Sequence, residues 1–396
     1  MEFCQSCLYP NTKPGLTFNH DGVCSACLNH KEKNKIDWDE RKQHFIEIIE
    51  KFRSRDGSNY DCIIPVSGGK DSTYQAYFVK KEFGLKPLLV NFIPRDLVPL
   101  GRKNIENLKK LGFDYIEFTP NPIVYRKLAK IGLTELGDVT WPEHHGLFTV
   151  PTKIAVAYKI PLIIWGENPQ SEYGGSGTGE ILDREWLLKH GGYFLDKMPI
   201  EKVTQFGIES EDLKPYSYPT DKEITNLGVT GIFLGSYFKW DIFKQLEIVR
   251  GLGFSVSDKP KEGTYQNWEN LDEKYTGMHD YFKWIKYGFG RATDHACIDI
   301  WYNRITRDEG RKLVSEYEGK IPTWYFDEFL QDFELTRTQF YEIVDKFGKK
   351  IKGIFTTISD PKVVTRARDA GIKIHWVHPL FDLTEGKNLL IILQVK

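Results

Sequence analysis

The sequence predicts an α/β protein built on a parallel sheet, with a cysteine-rich N-terminal module and a mostly helical C-terminal region. Three observations predict it. A glycine turn at 67–69 joins an apolar strand-length run to a helix start. Apolar runs alternate with helical patterns from 61 to 165. Two Cys-x-x-Cys pairs fall within the first 30 residues.

Length and charge bound the rest. The chain has 396 residues, enough for about two or three domains and a sizeable core. A net charge of −1 gives no global basic field, so nucleic acid is not an expected partner. Aromatic residues at 14% suit a globular enzyme better than a disordered scaffold. No apolar run approaches the ~20 residues of a membrane span, and the N-terminus lacks a signal-peptide pattern. The expectation is a cytoplasmic protein with no membrane insertion.

The N-terminal module carries Cys4, Cys7, Cys24 and Cys27, with sixteen residues between the pairs. Two such knuckles place four thiolates around one tetrahedral Zn²⁺. A disulfide framework and a redox pair are the alternatives. A reducing cytoplasm disfavours the first, and two matched pairs favour metal over the second. His20 and His30 read as bystanders. A closed four-cysteine site leaves no open position for catalysis.

From 38 to 53 the pattern is helical, with Phe45, Ile48, Ile49 and Phe52 on one face. A strand follows at 61–66, apolar enough to be covered on both sides. Then come Ser67, Gly68, Gly69, Lys70, Asp71 and Ser72, opening a helix over 71–83. A helix start behind a glycine turn is an anion site, because unpaired N–H groups and the dipole both face the ligand. The Walker pattern is absent, since aspartate follows the lysine. Ser-Gly-Gly-Lys-Asp-Ser instead resembles the PP-loop of the ATP pyrophosphatases (HUP-like, adenine nucleotide alpha hydrolase fold). That resemblance implies ATP split to AMP and pyrophosphate. It also implies that Asn91 and Phe92, after the second strand, lie along the nucleotide base.

The core continues with strands at 86–92, 114–118 and 161–165 and helices at 100–111, 123–131 and 150–158. Such alternation predicts right-handed crossovers and a ligand site beyond the C-terminal strand ends. Gly166, Glu167 and Asn168 sit at such an end. The stretch 166–179 holds five glycines and reads equally as a surface loop or a substrate-facing lid. Further on, a strand is expected at 231–237 and a helix at 242–249. Thr293 reads as the cap of a helix opening at Asp294, and Thr306 with Glu309 as a capping box for a helix to about 317. Arg291, Asp294, His295, Arg304 and Arg307 cluster there. They suit diphosphate or carboxylate groups, or a surface salt-bridge network. The tail reads as a small αβ unit with a helix at 361–370 and a final strand at 389–395.

In this order, the cysteine knuckles, the PP-loop, Gly166-Glu-Asn-Pro169, Gly290-Arg-Ala-Thr-Asp-His295 and Arg304-Ile-Thr-Arg-Asp-Glu-Gly310 resemble the N-acetyl sugar amidotransferases over nearly the whole chain. The family belongs to bacterial lipopolysaccharide (O-antigen) and nonulosonic-acid sugar biosynthesis. The resemblance implies a zinc-binding module at 1–36, a PP-loop ATP pyrophosphatase domain at 37–255 and a mostly helical substrate-binding region at 256–396. It implies conversion of a sugar acetamido group to an acetamidino group through an adenylated imidate. Ser67, Gly68, Gly69 and Ser72 would cradle pyrophosphate, with Gly166 beside the nucleotide. Lys70 would assist, Asp71 hold Mg²⁺ and Glu167 orient the amide or accept a proton. Asn168, Arg291, Asp294, His295 and Arg307 would bind a nucleotide-linked or nonulosonic N-acetyl sugar.

Ammonia needs a source. An N-terminal glutaminase nucleophile would require cysteine at position 2, where Glu2 stands. Cys62 lies in a buried strand and Cys297 lacks a glycine-flanked elbow. A separate glutaminase subunit is therefore expected. The rivals are a tRNA-thiolating PP-loop enzyme and a non-catalytic zinc-ribbon scaffold.

Overall fold

The computed structural model describes residues 1–168, 198–348, 354–358, 373–377 and 389–394. Its centre is a five-stranded parallel sheet. The strands are β1 (Cys62–Pro65), β2 (Pro87–Phe92), β3 (Asp114–Phe118), β4 (Leu162–Trp165) and β5 (Thr230–Phe233). Their spatial order is β3-β2-β1-β4-β5. The chain runs from β1 outward to β3, then crosses to the other side of β1 for β4. The switch point lies between β1 and β4, so the segments after those two strands open into one crevice.

Strand burial follows position. β2 and β4 are buried at every residue, whereas the edge strand β3 alternates between exposed and half-buried. Successive side chains serve opposite faces. Ile63, Leu88, Val90, Ile163 and Phe233 join one apolar cluster, and Cys62, Ile64, Leu89, Ile164 and Ile232 join the other. The second face is covered by α2 (Trp38–Phe52) and α3 (Lys70–Phe83), through Phe45, Ile49, Ala76 and Val79. Ahead of them α1 (Ser25–Lys33) belongs to the cysteine module. Further along lie α4 (Pro99–Lys110), α5 (Pro122–Ile131) and α6 (Trp141–Tyr158).

α6 begins nine residues before the expected 150. Pro142 sits in its first turn, where no backbone donor is lost. The helix is buried along most of its length, so no polar face marks its start. The strand expected at 231–237 is shorter: after Phe233 the chain turns through a single tight turn, Leu234–Ser236, and Gly235 N–H donates to Gly166 O at 3.0 Å.

α7 (Asp221–Leu227) and α8 (Ile242–Gly251) flank β5. The C-terminal region then builds α9 (Thr276–Tyr287), α10 (Arg291–Trp301), α11 (Arg307–Tyr317), α12 (Phe326–Asp332) and α13 (Arg337–Gly348). Phe282, Phe329 and Phe340 of this group extend the first apolar cluster. Thr293 does not cap α10. Gly290 is its N-cap, and Thr293 N–H and Oγ1 donate to the Glu318 carboxylate at 2.9 and 2.8 Å. Thr306 and Glu309 do form the capping box of α11. The tail is a three-stranded antiparallel sheet of β6 (Ile354–Ile358), β7 (Lys373–Val377) and β8 (Leu389–Gln394), in the order β6-β8-β7. The helix expected at 361–370 and the glycine-rich stretch from 169 onward lie outside the described residues. Among the described residues no helix is long and apolar enough to cross a membrane.

Candidate active site

The loop after β1 starts the site. Gly68 has φ +85°, a conformation open to glycine and costly for other residues. A Cβ there would meet Ile105 Cγ1 at 2.8 Å and the Ile105 backbone N at 3.1 Å. Ser67 Oγ accepts from Gly69 N–H at 3.2 Å, and Ser72 Oγ donates to Gly69 O at 3.2 Å, so hydroxyls brace the turn. Gly69 caps α3 without a side chain. The first-turn amides and the helix dipole are thereby left to an anion.

Across from the loop stands Glu269. Lys70 Nζ donates to Asp71 Oδ2 and to Glu269 Oε1, each at 2.6 Å. Arg291 Nη1 lies 3.7 Å and His295 Nε2 4.0 Å from Glu269 Oε2. Arg291 Nε also donates to Asp280 Oδ2 at 2.8 Å. Burial would lift Glu269, but Lys70, then His295 and Arg291, outweigh it and hold its carboxyl at about 2. Burial pushes His295 down to about 4, so the ring is neutral at pH 7. Lys70 is buried too, yet its two carboxylates keep it firmly charged.

These residues line a cleft of about 460 Å³ that also takes in Trp165, Gly166, Phe233, Lys283 and Asp294. Asp138, Thr140, Glu143, His144 and His279 line the same cleft. Burial, then Glu273 and Asp272, raise Glu143 well above the ordinary carboxylate range. A smaller recess of about 30 Å³ is lined by Asp71, Glu167 and Glu269 among others. Asp71 Oδ1 is buried there without a hydrogen-bond partner, which suits a hard cation bound by carboxylate oxygens.

Residues 262–358 match the family model described as "LPS biosynthesis protein WbpG-like, C-terminal domain". That segment contains Glu269, His279, Arg291, Asp294 and His295. A stretch of 88 residues, 22% of this chain, is 31% identical to an uncharacterized protein of Methanocaldococcus jannaschii. The chain spans 31% of that relative's length. Among solved structures, NMN synthetase from Francisella tularensis is similar at 15% identity and a TM-score of 0.31, covering 68% of this chain and 94% of that one. NH3-dependent NAD synthetase from Campylobacter jejuni is similar at 15% identity and a TM-score of 0.28, covering 48% and 92%. The core has the PP-loop fold on its own strand order and loop sequence.

The structure gathers Ser67, Gly68, Gly69, Lys70, Asp71, Ser72, Phe92, Gly166, Glu167, Arg291, Asp294 and His295 around the cleft. Three expected residues lie elsewhere. Asn91 is fully buried, and its Nδ2 donates to Tyr115 Oη at 2.7 Å, because it points from β2 toward β3 and away from the crevice. Asn168 is buried, with Nδ2 on Ser236 Oγ at 3.2 Å. Arg307 is a brace rather than a substrate ligand: its Nε and Nη2 donate to the carbonyls of Cys7 and Cys4 at 2.9 and 2.8 Å. Phe92 reaches the cleft as a core residue, stacked on Phe118 and Tyr125 at 6.0 and 6.3 Å. Arg304 lies over the Phe243 ring at 3.8 Å and donates to Asp241 Oδ1 at 2.9 Å. Glu269, Asp138, His144 and His279 are cleft residues that no sequence motif singles out. The paired His144-His145 beside a glycine–aspartate turn is their one visible signal.

The four cysteines of the N-terminal module are buried, with one ligand atom each lying within 4.8 Å of the others. Cys4 and Cys27 Sγ are 3.8 Å apart, and Cys7 and Cys24 Sγ 3.6 Å. A tetrahedron with Zn–S bonds of ~2.3 Å has edges of about 3.8 Å. The neighbouring thiols drive Cys4 and Cys24 toward thiolate and Cys7 and Cys27 away from it, a conflict that a bound divalent cation removes. The donor set therefore fits structural zinc. His30 stacks on Trp301 at 5.6 Å and His20 is exposed beside Asp21, so neither joins the cluster. The module packs on α10 through Cys297 and Phe289. It reaches the cleft through Tyr9, whose hydroxyl donates to Asp294 Oδ1 at 2.8 Å while Lys283 pairs with Oδ2.

Proposed function

We propose that this chain is an ATP-dependent amidotransferase of LPS-type sugar biosynthesis. It converts an acetamido group to an acetamidino group and releases AMP and pyrophosphate. One observation carries this reading: Glu269 of the 262–358 segment is bonded to Lys70 of the phosphate loop. The ATP-activating group and the residues of the sugar-biosynthesis domain thus share one cleft.

An amide oxygen is a poor leaving group, so it must be activated before ammonia can replace it. In the cleft the sugar amide oxygen attacks the α-phosphorus and pyrophosphate leaves. Ammonia then adds to the imidate carbon and AMP departs. Gly68, Gly69 and the first turn of α3 hold the phosphates. Lys70 shifts from its carboxylates to the departing charge. Asp71 and Glu167 would hold Mg²⁺, which neutralises phosphate charge when bound. Arg291 and Lys283 face the acceptor with bidentate and point charges suited to a sugar carboxylate or diphosphate. Neither thiol outside the metal module is exposed: Cys62 is buried in β1 and burial pushes it up, and Cys297 accepts from Leu8 N–H. Ammonia therefore comes from a separate glutaminase. The same burial leaves no sulfur carrier at the cleft among the described residues, which disfavours tRNA thiolation.

The test combines the protein with ATP, Mg²⁺, ammonium and a panel of free, nucleotide-linked and nonulosonic N-acetyl sugars. The expected product is lighter than its substrate by the difference between oxygen and NH, with AMP formed in step. Formation of ADP in place of AMP would refute the mechanism.

A further inference from the structure

The cleft holds a group of side chains that neither the phosphate loop nor the metal module uses. Asp138 follows Gly137, a residue at φ +64° that ends a wide helical turn, Gly132–Leu136. Asp138 Oδ1 accepts from Thr140 N–H at 3.0 Å and Thr140 Oγ1–H at 2.9 Å, and His279 Nδ1 lies 2.8 Å from the same oxygen and 2.9 Å from Thr140 Oγ1. Its Oδ2 lies 3.5 Å from His144 Nδ1. Burial would lift Asp138, but His279, then His144, outweigh it and keep the carboxyl well below its ordinary range.

The carboxylate at Nδ1 places a ring proton there, so Nε2, turned away from Asp138, is the nitrogen that can exchange a proton. Among the described residues that Nε2 bonds to nothing. The His144 ring stands edge-on, with centroids 5.2 Å apart and planes at 76°. Both imidazoles and the phosphate loop line the same cleft.

We propose that His279, oriented by Asp138, takes the proton from the nitrogen that adds to the activated sugar amide. This rests on the amidotransferase reading above. When the ammonia lone pair forms the new C–N bond, the imidate π pair moves to the sugar nitrogen. The added group is then an ammonium, which leaves more readily than AMP. Transfer of one of its protons to His279 Nε2 removes that return path. The new nitrogen's lone pair then expels AMP as the C–O bond breaks. The sugar nitrogen keeps its hydrogen throughout, so the product forms directly as an amidinium, and the imidazolium gives its proton to the departing phosphate. Asp138 is a positioning residue: it fixes the tautomer and touches no reacting atom.

The experiment uses the full chain with ATP, Mg²⁺ and ammonium, and with UDP-N-acetylglucosamine and N-acetylneuraminic acid as acceptor probes. Amidine formed per pyrophosphate released is measured for wild type, His279→Ala and the bulkier His279→Gln. General acid–base catalysis is worth roughly 100-fold or more, so the ratio falls by about that factor in both variants, and added imidazole restores part of it in His279→Ala. ¹⁵N-histidine NMR finds His279 protonated on Nδ1 in wild type and loses that signature in Asp138→Asn. An unchanged ratio in both variants, or an Nε2–H tautomer in wild type, overturns the assignment to His279. Pyrophosphate release without amidine in wild type overturns the amidotransferase reading itself, and this assignment with it.

Discussion

Gly68→Ala separates the physical requirements of the loop. The residue sits at φ +85°, so alanine incurs the left-handed penalty of about 1–2 kcal/mol. Its Cβ would also lie 2.8 Å from Ile105 Cγ1 and 3.1 Å from the Ile105 backbone nitrogen. The backbone atom cannot rotate aside, so overpacking adds about 1–3 kcal/mol. Together the two effects cost about 2–5 kcal/mol. Gly84 supplies the control. It has φ +63° and nothing within 4 Å of where a methyl would stand, so Gly84→Ala carries only the first effect, about 1–2 kcal/mol. Urea unfolding of both variants measures the difference. Titration calorimetry with a non-hydrolysable ATP analogue reads the ligand side. Gly68→Ala loses at least about tenfold in affinity, or about 1.4 kcal/mol, because relieving the clash with Ile105 shifts the loop backbone that faces the phosphate. Gly84→Ala, at the far end of α3, binds as wild type. Equal destabilisation and equal affinity in the two variants would refute both the steric account and the placement of phosphate at Gly68.

His295 is held neutral, near 4 against an ordinary 6.5. The unfolded chain therefore binds the extra proton first, and stability falls as pH drops from about 6.5 to 4, by on the order of 3 kcal/mol. Below about 4.5 the depressed carboxyl of Glu269 adds to that loss, because the unfolded chain again takes the proton first. Melting curves across this range should show a slope that His295→Gln flattens between pH 6.5 and 4; a slope unchanged by the substitution would dismiss His295 as its source. Elemental analysis should find about one zinc per chain, and little in Cys4→Ser. Rapid modification of all four N-terminal cysteines in untreated protein would contradict a closed site. Arg307→Met removes two hydrogen bonds to the carbonyls of Cys4 and Cys7. It should cost about 2–4 kcal/mol and hasten metal loss to a chelator, with the acceptor KM unchanged at full metal content. A raised KM with zinc retained would return Arg307 to the substrate site.

The sheet was legible because its strands are short apolar runs bounded by turns. The run over 114–118 matches β3 residue for residue, and the strand 61–66 contains β1. α6 was half legible, since residues 141–149 are largely buried and show no amphipathic period. The phosphate loop could be read because its ligands are consecutive in sequence. Glu269 could not, since it reaches Lys70 across 199 positions and stands in no motif. Arg307 was misread for a physical reason. An arginine near a helix start looks the same in sequence whether it binds a phosphate or, as here, two carbonyls of the metal module. Asn91 was misplaced because the resemblance assigns two consecutive residues to the nucleotide base, whereas strand alternation sends Asn91 and Phe92 to opposite faces of the sheet.

The cleft is joined to the metal module by a chain of contacts rather than by proximity alone. Asp294 lines the cleft. Its two oxygens take Tyr9 from the cysteine module and Lys283 from α9. Burial pulls Lys13 down to about 8, partly offset by Asp294, and its ammonium lies 4.6 Å above the Tyr9 ring. Arg307 then fixes the knuckle carbonyls behind Tyr9. A cation bound by the four cysteines would make that backbone rigid and so fix where Asp294 and Lys283 present their charges. On the opposite wall, Glu269 holds Lys70 and sits beside Arg291 and His295. The 262–358 segment is therefore the common partner of both the phosphate loop and the four-cysteine module. On the proposed reading, a closed metal site with no chemistry of its own would still bear on the reaction, because Asp294 and Lys283 are positioned against it.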